Sequence, residues 1–175
     1  MEYPKRKTIR LEGYDYNSPG YYFITVCTVD RKKVLCEIKE PLVGTVALDG
    51  PQVCLTQYGE ILERHLEGFR DYYDDIKIDS YVIMPNHFHV MLHIIESENG
   101  PSRATVPTSA KVGRFIGTVK RFCNREIGKN IWQARSNDRI IRNERHYLQL
   151  LEYIQTNPVR WMEDEFYVAE ESSLD

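Results

Sequence analysis

Residues 76–95, IKIDSYVIMPNHFHVMLHII, decide the expected fold of this chain. Two runs rich in apolar and β-branched residues, 76–84 and 87–95, are separated only by Pro85 and Asn86, a pair that suits a tight turn. We therefore predict that the two runs form a β-hairpin.

Two histidines begin the second strand of this hairpin. Side chains on a strand alternate between its faces, so His87 and His89 project from one face, about 6.6 Å apart along the strand, while Phe88 projects from the other. Two imidazoles at this spacing can share one metal ion. Histidine pairs with this spacing also occur on strands that bind no metal, so the pair alone is weak evidence. Its position directly after a turn, where a ligand can reach it, favours a site.

The segments before the hairpin predict one strand and one helix. Residues 20–30, GYYFITVCTVD, are rich in aromatic and β-branched residues, which are typical of a strand. Residues 56–73 predict an amphipathic helix, because five residues recur at helical spacing: Ile61, Leu62, His65, Leu66 and Phe69. The region between these two segments is predicted to be a loop, since it contains Pro41, Gly44, Gly50 and Pro51.

The segment after the hairpin predicts a polar loop and then a second helix. Residues 97–109, SENGPSRATVPTS, have the composition of a loop. Residues 111–129 place apolar side chains along one arc of a helix and basic side chains along the opposite arc. The basic arc comprises Lys111, Arg114, Arg121, Arg125 and Lys129.

The last part of the chain predicts a short strand and a third helix. Apolar patches at 131–133 and 139–141 can supply the strand or extended segments. Asn143 is typical of a helix cap, and the helix that follows should run to Asn157, because Pro158 cannot continue it.

The order strand, helix, hairpin, helix and short strand is that of a ferredoxin-like α+β fold. We predict an antiparallel sheet with helices packed on it and an additional C-terminal helix. At 175 residues the chain is long enough for one domain and short for two. We expect residues 1–161 to form that single domain and residues 162–175 to form an acidic tail.

Composition and charge limit the classes of protein to which this chain can belong. No apolar run approaches the ~20 residues that span a bilayer, and the basic start lacks the apolar stretch of a secretory signal, so we expect a cytoplasmic protein. The formal net charge is -3, yet residues 103–146 hold eleven Lys or Arg against three acids, counted from the sequence. A local excess of eight positive charges favours a nucleic-acid partner over other ligands.

Three blocks of the sequence resemble a known family. YVIMPNHFHVMLH, residues 81–93, resembles the signature of single-tyrosine HUH transposases, in which Phe88 stands at the hydrophobic position U. IWQARSNDRIIRNERHYLQLLEYIQTNPVRW, residues 131–161, resembles the second block of the REP-associated tyrosine transposases, and GYYFITVCTVDRK matches their opening strand. The blocks lie in the right order and cover most of the chain.

The resemblance implies an activity and a set of site residues. It implies that Tyr153, on the last helix, attacks single-stranded DNA and leaves a 5′-phosphotyrosine link, and that Asn157 is the third metal ligand beside His87 and His89. Tyr153 and Asn157 are also i, i+4 neighbours on one helical face. Two imidazoles and an amide oxygen suit Mg²⁺ or Mn²⁺. Arg139 stands where relatives commonly have a histidine.

The expected partner is single-stranded or hairpin DNA, since relatives bind repetitive extragenic palindromes, and the enzyme is expected to be a monomer or a homodimer. Tyrosines near the N-terminus are candidates for stacking on unpaired bases: Tyr14, Tyr16, Tyr21 and Tyr22. The residues expected to contact DNA phosphates are Lys111, Arg114, Lys120, Arg121, Arg125, Arg135, Arg139 and Arg142.

Two other functions remain open at this stage. One is a DNA-hairpin-binding protein without cleavage activity, which needs the basic surface but tolerates damage to the metal site. The other is a small metallohydrolase, which predicts a closed acidic or apolar pocket. A further hypothesis is that the acidic tail folds back over the basic surface as an autoinhibitory cover.

Overall fold

A computed structural model describes residues 19–39, 51–70, 72–95 and 111–169 of the chain. The elements are, in order, β1 (Gly20–Cys27), β2 (Cys36–Lys39), β3 (Gln52–Leu55), α1 (Gln57–Phe69), β4 (Ile76–Met84), β5 (His87–Ile94), α2 (Lys111–Ile127), β6 (Asn137–Ile141) and α3 (Glu144–Thr156). A short 3-10 turn follows at Trp161–Glu163.

The central sheet has four strands in the order β4-β5-β1-β6, and every neighbouring pair is antiparallel. β4 and β5 form the predicted hairpin, with Met84 opposite His87. Together with α1 and α2, this sheet has the ferredoxin-like arrangement, and α3 is the additional C-terminal helix. The predicted fold class is confirmed.

The two faces of the sheet carry different helices. The larger core joins α1 and α2 to the even-numbered side chains of β1 and β5, such as Ile24, Phe88 and Val90. The smaller core lies on the opposite face and joins α3 to Phe23 and Met91. The odd-numbered histidines of β5 therefore face α3, because side chains alternate along a strand.

Two of the helices begin at side-chain caps. The Thr56 hydroxyl accepts a hydrogen bond from the Gly59 amide at 3.2 Å, and the Asn143 side-chain oxygen accepts one from the His146 amide at 2.8 Å. Each bond satisfies a backbone donor that lacks a partner within the helix. Asn143 is the predicted cap of α3, and that prediction is confirmed.

Several details differ from the predictions. The segment expected to be a loop contributes the hairpin β2–β3, whose four-residue strands are too short to show an alternating pattern. Trp132 lies in an extended segment before the last strand: it makes an isolated bridge with Thr28 and its ring packs edge-on to Phe88 at 5.5 Å. The last strand, β6, contains the predicted patch 139–141.

Some predictions fall outside the described residues, namely the loop at 97–109, Tyr14, Tyr16 and the last six residues of the tail. In the described part of the chain, no helix is both long and apolar enough to span a membrane.

Candidate active site

His87 and His89 lie side by side on the face of the sheet that α3 covers. Both are buried, and their Nε2 atoms are 3.0 Å apart. Nδ1–H of His87 donates to the side-chain oxygen of Asn86 at 2.8 Å, and Nδ1 of His89 is hydrogen-bonded to the Thr25 hydroxyl at 2.8 Å. With both Nδ1 atoms engaged by neighbours, the Nε2 atoms are the ones presented to a ligand.

Both imidazoles are held in the neutral form, which is the form that binds metal. Burial lowers the pKa of His87 to about 4. Burial also lowers the pKa of His89 well below its usual value, and the neighbouring His87 and Arg139 lower it further.

Tyr153 reaches the histidine pair from α3 of the same chain. Its ring lies 5.2 Å from the His89 ring and 6.0 Å from Phe23, edge-on to each. The phenol donates a hydrogen bond to Oδ2 of Asp164 at 2.8 Å. Burial and this hydrogen bond raise the pKa of Tyr153 above its usual value, so the phenol is protonated at neutral pH.

Asp164 completes the cluster, and the sequence reasoning did not single it out. One ligand atom from each of His87, His89 and Asp164 lies within 4.8 Å of the others. Asn157, the predicted third ligand, lies beside them and donates from Nδ2 to Oδ2 of Asp164 at 3.0 Å. The Asn157 Oδ1 atom is buried and has no hydrogen-bond partner in the described part of the chain. A buried acceptor without a partner is costly, and a bound cation would satisfy it.

This donor set fits a divalent metal ion. Two ligands bound side by side in an octahedral shell at about 2.1 Å lie about 3.0 Å apart, which matches the Nε2 separation of 3.0 Å. A carboxylate oxygen of Asp164 lies within 4.8 Å of the donor atoms of both imidazoles, and the Asn157 amide is hydrogen-bonded to that carboxylate. Imidazole nitrogens together with carboxylate and amide oxygens are a donor set that divalent metal ions accept.

A cavity of about 530 Å³ opens beside Tyr153, between β6 and α3. Its walls include Arg139 of β6 and His146 of α3 as well as the acidic residues Glu163 and Glu165. Arg139 and Glu165 form an exposed ion pair with an N–O distance of 3.6 Å. The cavity gives a ligand access to His89 and Tyr153.

Known proteins are similar to this chain in sequence or in fold. An uncharacterized protein of Haemophilus influenzae is 36% identical over 178 residues, which cover 93% of each chain. The REP-associated tyrosine transposase of Escherichia coli is 28% identical over 109 residues, 62% of this chain and 59% of that protein. Over this part of its length the chain is similar in sequence to a REP-associated tyrosine transposase. No family model matches it.

The fold of the chain is similar to that of a solved REP-associated tyrosine transposase bound to a REP hairpin. The TM-score is 0.51 at 20% identity, and the match covers 92% of this chain and 74% of that one. At this identity the match shows a shared fold.

Phe166, in the described part of the tail, packs against the histidine pair. The Phe166 ring lies 4.8 Å from the His87 ring and 6.0 Å from the His89 ring, and the Phe166 carbonyl accepts a hydrogen bond from Asn86 at 2.8 Å. The Arg31 guanidinium group lies over the Phe166 ring, 5.0 Å from its centre. The boundary at residue 161 stays a prediction, but residues 163–166 lie at the site.

The basic arc of α2 lies across the sheet from Tyr153, because α2 packs on the opposite face. Lys111 pairs with Asp75 at 2.8 Å, and the Arg121 and Arg125 guanidinium groups lie over the Phe122 ring. Arg114 is also exposed on this arc. These side chains do not line the cavity at Tyr153, and their contact with DNA stays a prediction.

Lys120 points inward. Its ammonium group donates to the Gln133 carbonyl at 2.8 Å and lies 3.4 Å from the Arg135 carbonyl. Burial lowers the pKa of Lys120. This lysine therefore holds the segment that leads into β6, and a phosphate contact for it also stays a prediction.

Two arginines expected to contact DNA, and one tyrosine expected to stack on a base, lie on the face of the sheet that carries the site. Arg139 lines the cavity at Tyr153, while Arg142 and Tyr21 line a second cavity further along α3. Arg135 is exposed in the loop before β6. Tyr22, in contrast, is fully buried in the core under α1 and α2, so it is unavailable for stacking on a base.

Sequence reasoning missed three residues that organise the site. Strand alternation places Thr25 on the same face as Phe23, which was a usable signal. Asp164 and Phe166 lie in an acidic stretch with no periodic pattern, so no sequence signal separated them from a solvent-exposed tail.

Proposed function

We propose that this chain is a transposase-like enzyme that cuts and rejoins single-stranded or hairpin DNA, with Tyr153 as its nucleophile. Its relative in E. coli is named a REP-associated tyrosine transposase, and a protein of the same fold was solved bound to a REP hairpin. These names support hairpin DNA as the substrate class.

One observation carries the proposal: Tyr153, Asp164 and the histidine pair meet within one chain. The phenol is hydrogen-bonded to Asp164 at 2.8 Å, and Asp164 offers a carboxylate oxygen within 4.8 Å of the donor atoms of His87 and His89. A nucleophile held beside a candidate cation site is the arrangement that phosphoryl transfer requires. No second chain is needed to bring these groups together.

The chemical step transfers a phosphoryl group to the tyrosine. The phenol oxygen of Tyr153 forms a bond to phosphorus and the bond from phosphorus to the 3′ oxygen breaks, which leaves a 5′-phosphotyrosine and a free 3′-hydroxyl. The phenol proton has an acceptor in place, since Oδ2 of Asp164 already receives its hydrogen bond. The leaving oxygen takes up a proton. Attack by a 3′-hydroxyl in the reverse direction rejoins DNA.

The metal is part of the proposal. His87 and His89 would hold Mg²⁺ or Mn²⁺ through Nε2, with oxygens of Asn157 and Asp164 as further donors. When bound, the ion supplies positive charge to the phosphate oxygens. The chain's own contribution is a pair of imidazoles in fixed orientations, because Asn86 and Thr25 form hydrogen bonds with their Nδ1 atoms.

The test is covalent capture of DNA. We expect the wild-type protein, given labelled hairpin DNA and Mn²⁺ or Mg²⁺, to form an adduct that survives a denaturing gel, and Tyr153→Phe to form none. Tyr81→Phe is the matched control, because the Tyr81 phenol also donates to a carboxylate, Glu67, at 2.7 Å, and that tyrosine packs against the core on the other face of the sheet.

The outcomes separate the candidate functions. An adduct with Tyr153→Phe would show that another residue is the nucleophile. Tight hairpin binding by the wild type without any adduct would identify a binding protein that does not cleave.

A further inference from the structure

A second cavity, of about 380 Å³, lies on the same side of the sheet as Tyr153. It is lined by the end of β6, the start of α3 and the start of β1: Ile141, Arg142, Asn143, Glu144, Tyr147, Gly20 and Tyr21. None of these residues contributes to the proposed catalytic cluster.

The two cavities follow one another along β6 and α3, and the surface that they occupy is called the groove. On β6, Arg139 lines the first cavity and Ile141 the second, a step of about 6.6 Å along the strand. On α3, His146 lines the first and Tyr147 the second. β6 is an edge strand, so a single strand of DNA lying along it passes both cavities.

The second cavity has aromatic walls that are fixed in place. The Tyr21 ring is stacked on His93, with centroids 4.2 Å apart and planes 6° apart. Tyr147 stands edge-on to Tyr21 at 5.1 Å, and its phenol donates to Asp79 at 2.8 Å. Asp79 is the extra residue of a bulge in β4, since Ile78 and Ser80 pair with consecutive residues of β5. Rigid aromatic walls lose little entropy on stacking with a ligand.

The rim of the cavity is polar. Arg142 is exposed there and suits a phosphate. Glu144 provides a carboxylate acceptor on the same rim, which suits an exocyclic amino group on a base edge. A cavity with aromatic walls between a cation and an acceptor matches a nucleotide better than it matches a duplex backbone, which offers no unpaired base.

We propose that this cavity binds one unpaired nucleobase of the strand that Tyr153 cleaves, with Tyr21 and Tyr147 as its walls and Arg142 on the adjoining phosphate. The inference rests on the proposed function, because it assumes a DNA strand in the groove. Tyr147 precedes Tyr153 by six residues, about 9 Å along α3, so the bound base lies close to the scissile phosphate. The bound base then determines which phosphate of the strand lies at Tyr153 and is cleaved.

The test is an abasic scan of the DNA. The probe is the tightest-binding member of a pool of hairpins with randomised single-stranded flanks, and binding is measured by fluorescence anisotropy in EDTA, so that no cleavage takes place. In the wild type we expect an abasic substitution at one flank position to weaken binding about tenfold, the scale of one stacked base. Tyr21→Leu should weaken binding of the intact probe by a similar factor and should make that abasic position neutral.

Two further variants guard against trivial results. Tyr72→Leu is the matched control, because Tyr72 is 69% exposed and lies away from the groove. Tyr147→Leu is the second probe of the pocket, for use if Tyr21→Leu does not fold. The inference is overturned if the position-specific penalty persists in the folded pocket variants, or if Tyr72→Leu loses as much affinity.

Failure of the inference is distinguishable from failure of the proposed function. If the wild type forms the covalent adduct but no single flank position stands out, the pocket is wrong and the function stands. If no hairpin of the pool binds or forms an adduct, the proposed function itself fails.

Discussion

The Tyr153 phenol donates a 2.8 Å hydrogen bond to Oδ2 of Asp164, and the same oxygen accepts a 3.0 Å hydrogen bond from the Asn157 amide. One carboxylate therefore positions both the proposed nucleophile and the amide group that the family resemblance assigns to the metal. Oδ1 of the same carboxylate accepts the Phe166 amide at 2.7 Å, which fixes the turn that carries Asp164. The segment after α3 is thus part of the site.

Asp164→Asn should weaken metal binding. The change removes the carboxylate that, among the described residues, lies within 4.8 Å of the imidazole donors, and loss of a ligand or of its supporting partner lowers affinity by about 10- to 100-fold. Isothermal titration of the metal-free protein with Mn²⁺ measures the effect without DNA. Glu152→Gln, an exposed change on α3, should bind Mn²⁺ as the wild type does. If Asp164→Asn binds Mn²⁺ as tightly as the wild type does, this carboxylate does not contribute to metal binding.

Thr25→Val should also weaken Mn²⁺ binding, although Thr25 does not reach the ion. Its hydroxyl holds Nδ1 of His89 at 2.8 Å, and without it the ring loses its fixed orientation and a buried nitrogen loses its partner. We expect a loss of about tenfold or more in affinity and a loss of about 1–3 kcal/mol in stability. Thr118→Val removes the hydroxyl that Tyr73 contacts at 3.3 Å and should leave Mn²⁺ affinity unchanged.

The free energy of unfolding should fall in acid because of His87. Burial lowers the pKa of this imidazole from 6.5 to about 4, so between these values the unfolded chain binds a proton that the folded chain rejects. The unfolded state is then favoured as the pH falls from 6.5 towards 4, and above 6.5 this group contributes no pH dependence. Urea unfolding in EDTA at several pH values in this range measures the slope of the free energy of unfolding against pH. His87→Gln should have a shallower slope than the wild type, and an identical slope would contradict the assignment.

Glu165→Gln should strengthen DNA binding at low salt. The change removes the partner of Arg139, 3.6 Å away, and one negative charge from the wall of the cavity. The ion pair is exposed, so we expect a gain of a few-fold that fades as salt screens the charges. Glu37→Gln breaks a comparable exposed pair with Lys39 on β2. An equal gain in that variant would mean that net charge alone is responsible.

Gly59→Ala and Gly68→Ala should change stability in opposite directions, although both lie in α1. A Cβ at Gly59 would collide with the backbone carbonyl of Leu35, whereas no atom of the described residues lies within 4 Å of a Cβ at Gly68. Gly68→Ala should stabilise by about 0.5–1 kcal/mol through helix propensity. Gly59→Ala should destabilise, and we expect a loss of more than about 1 kcal/mol. Thermal unfolding of the two variants decides the comparison.

Local patterns in the sequence were enough to predict most elements of the fold. The β4–β5 hairpin follows from two apolar runs around Pro85 and Asn86, and α2 follows from opposite apolar and basic arcs. Strands of four residues show no such pattern, which is why the β2–β3 hairpin was missed. The partners of Trp132 were not predicted, because Phe88 and Thr28 are remote from it in the chain.

The sequence by itself determined that His87 and His89 share one face of a strand, and that Tyr153 and Asn157 share one face of a helix, because strand and helix periodicity are local properties of the backbone. Only the tertiary structure decided which helix covers the histidines. It placed α3 and Asp164 on them and α2 with its basic arc on the opposite face. Packing across a sheet depends on contacts between residues far apart in sequence, and no local pattern encodes them.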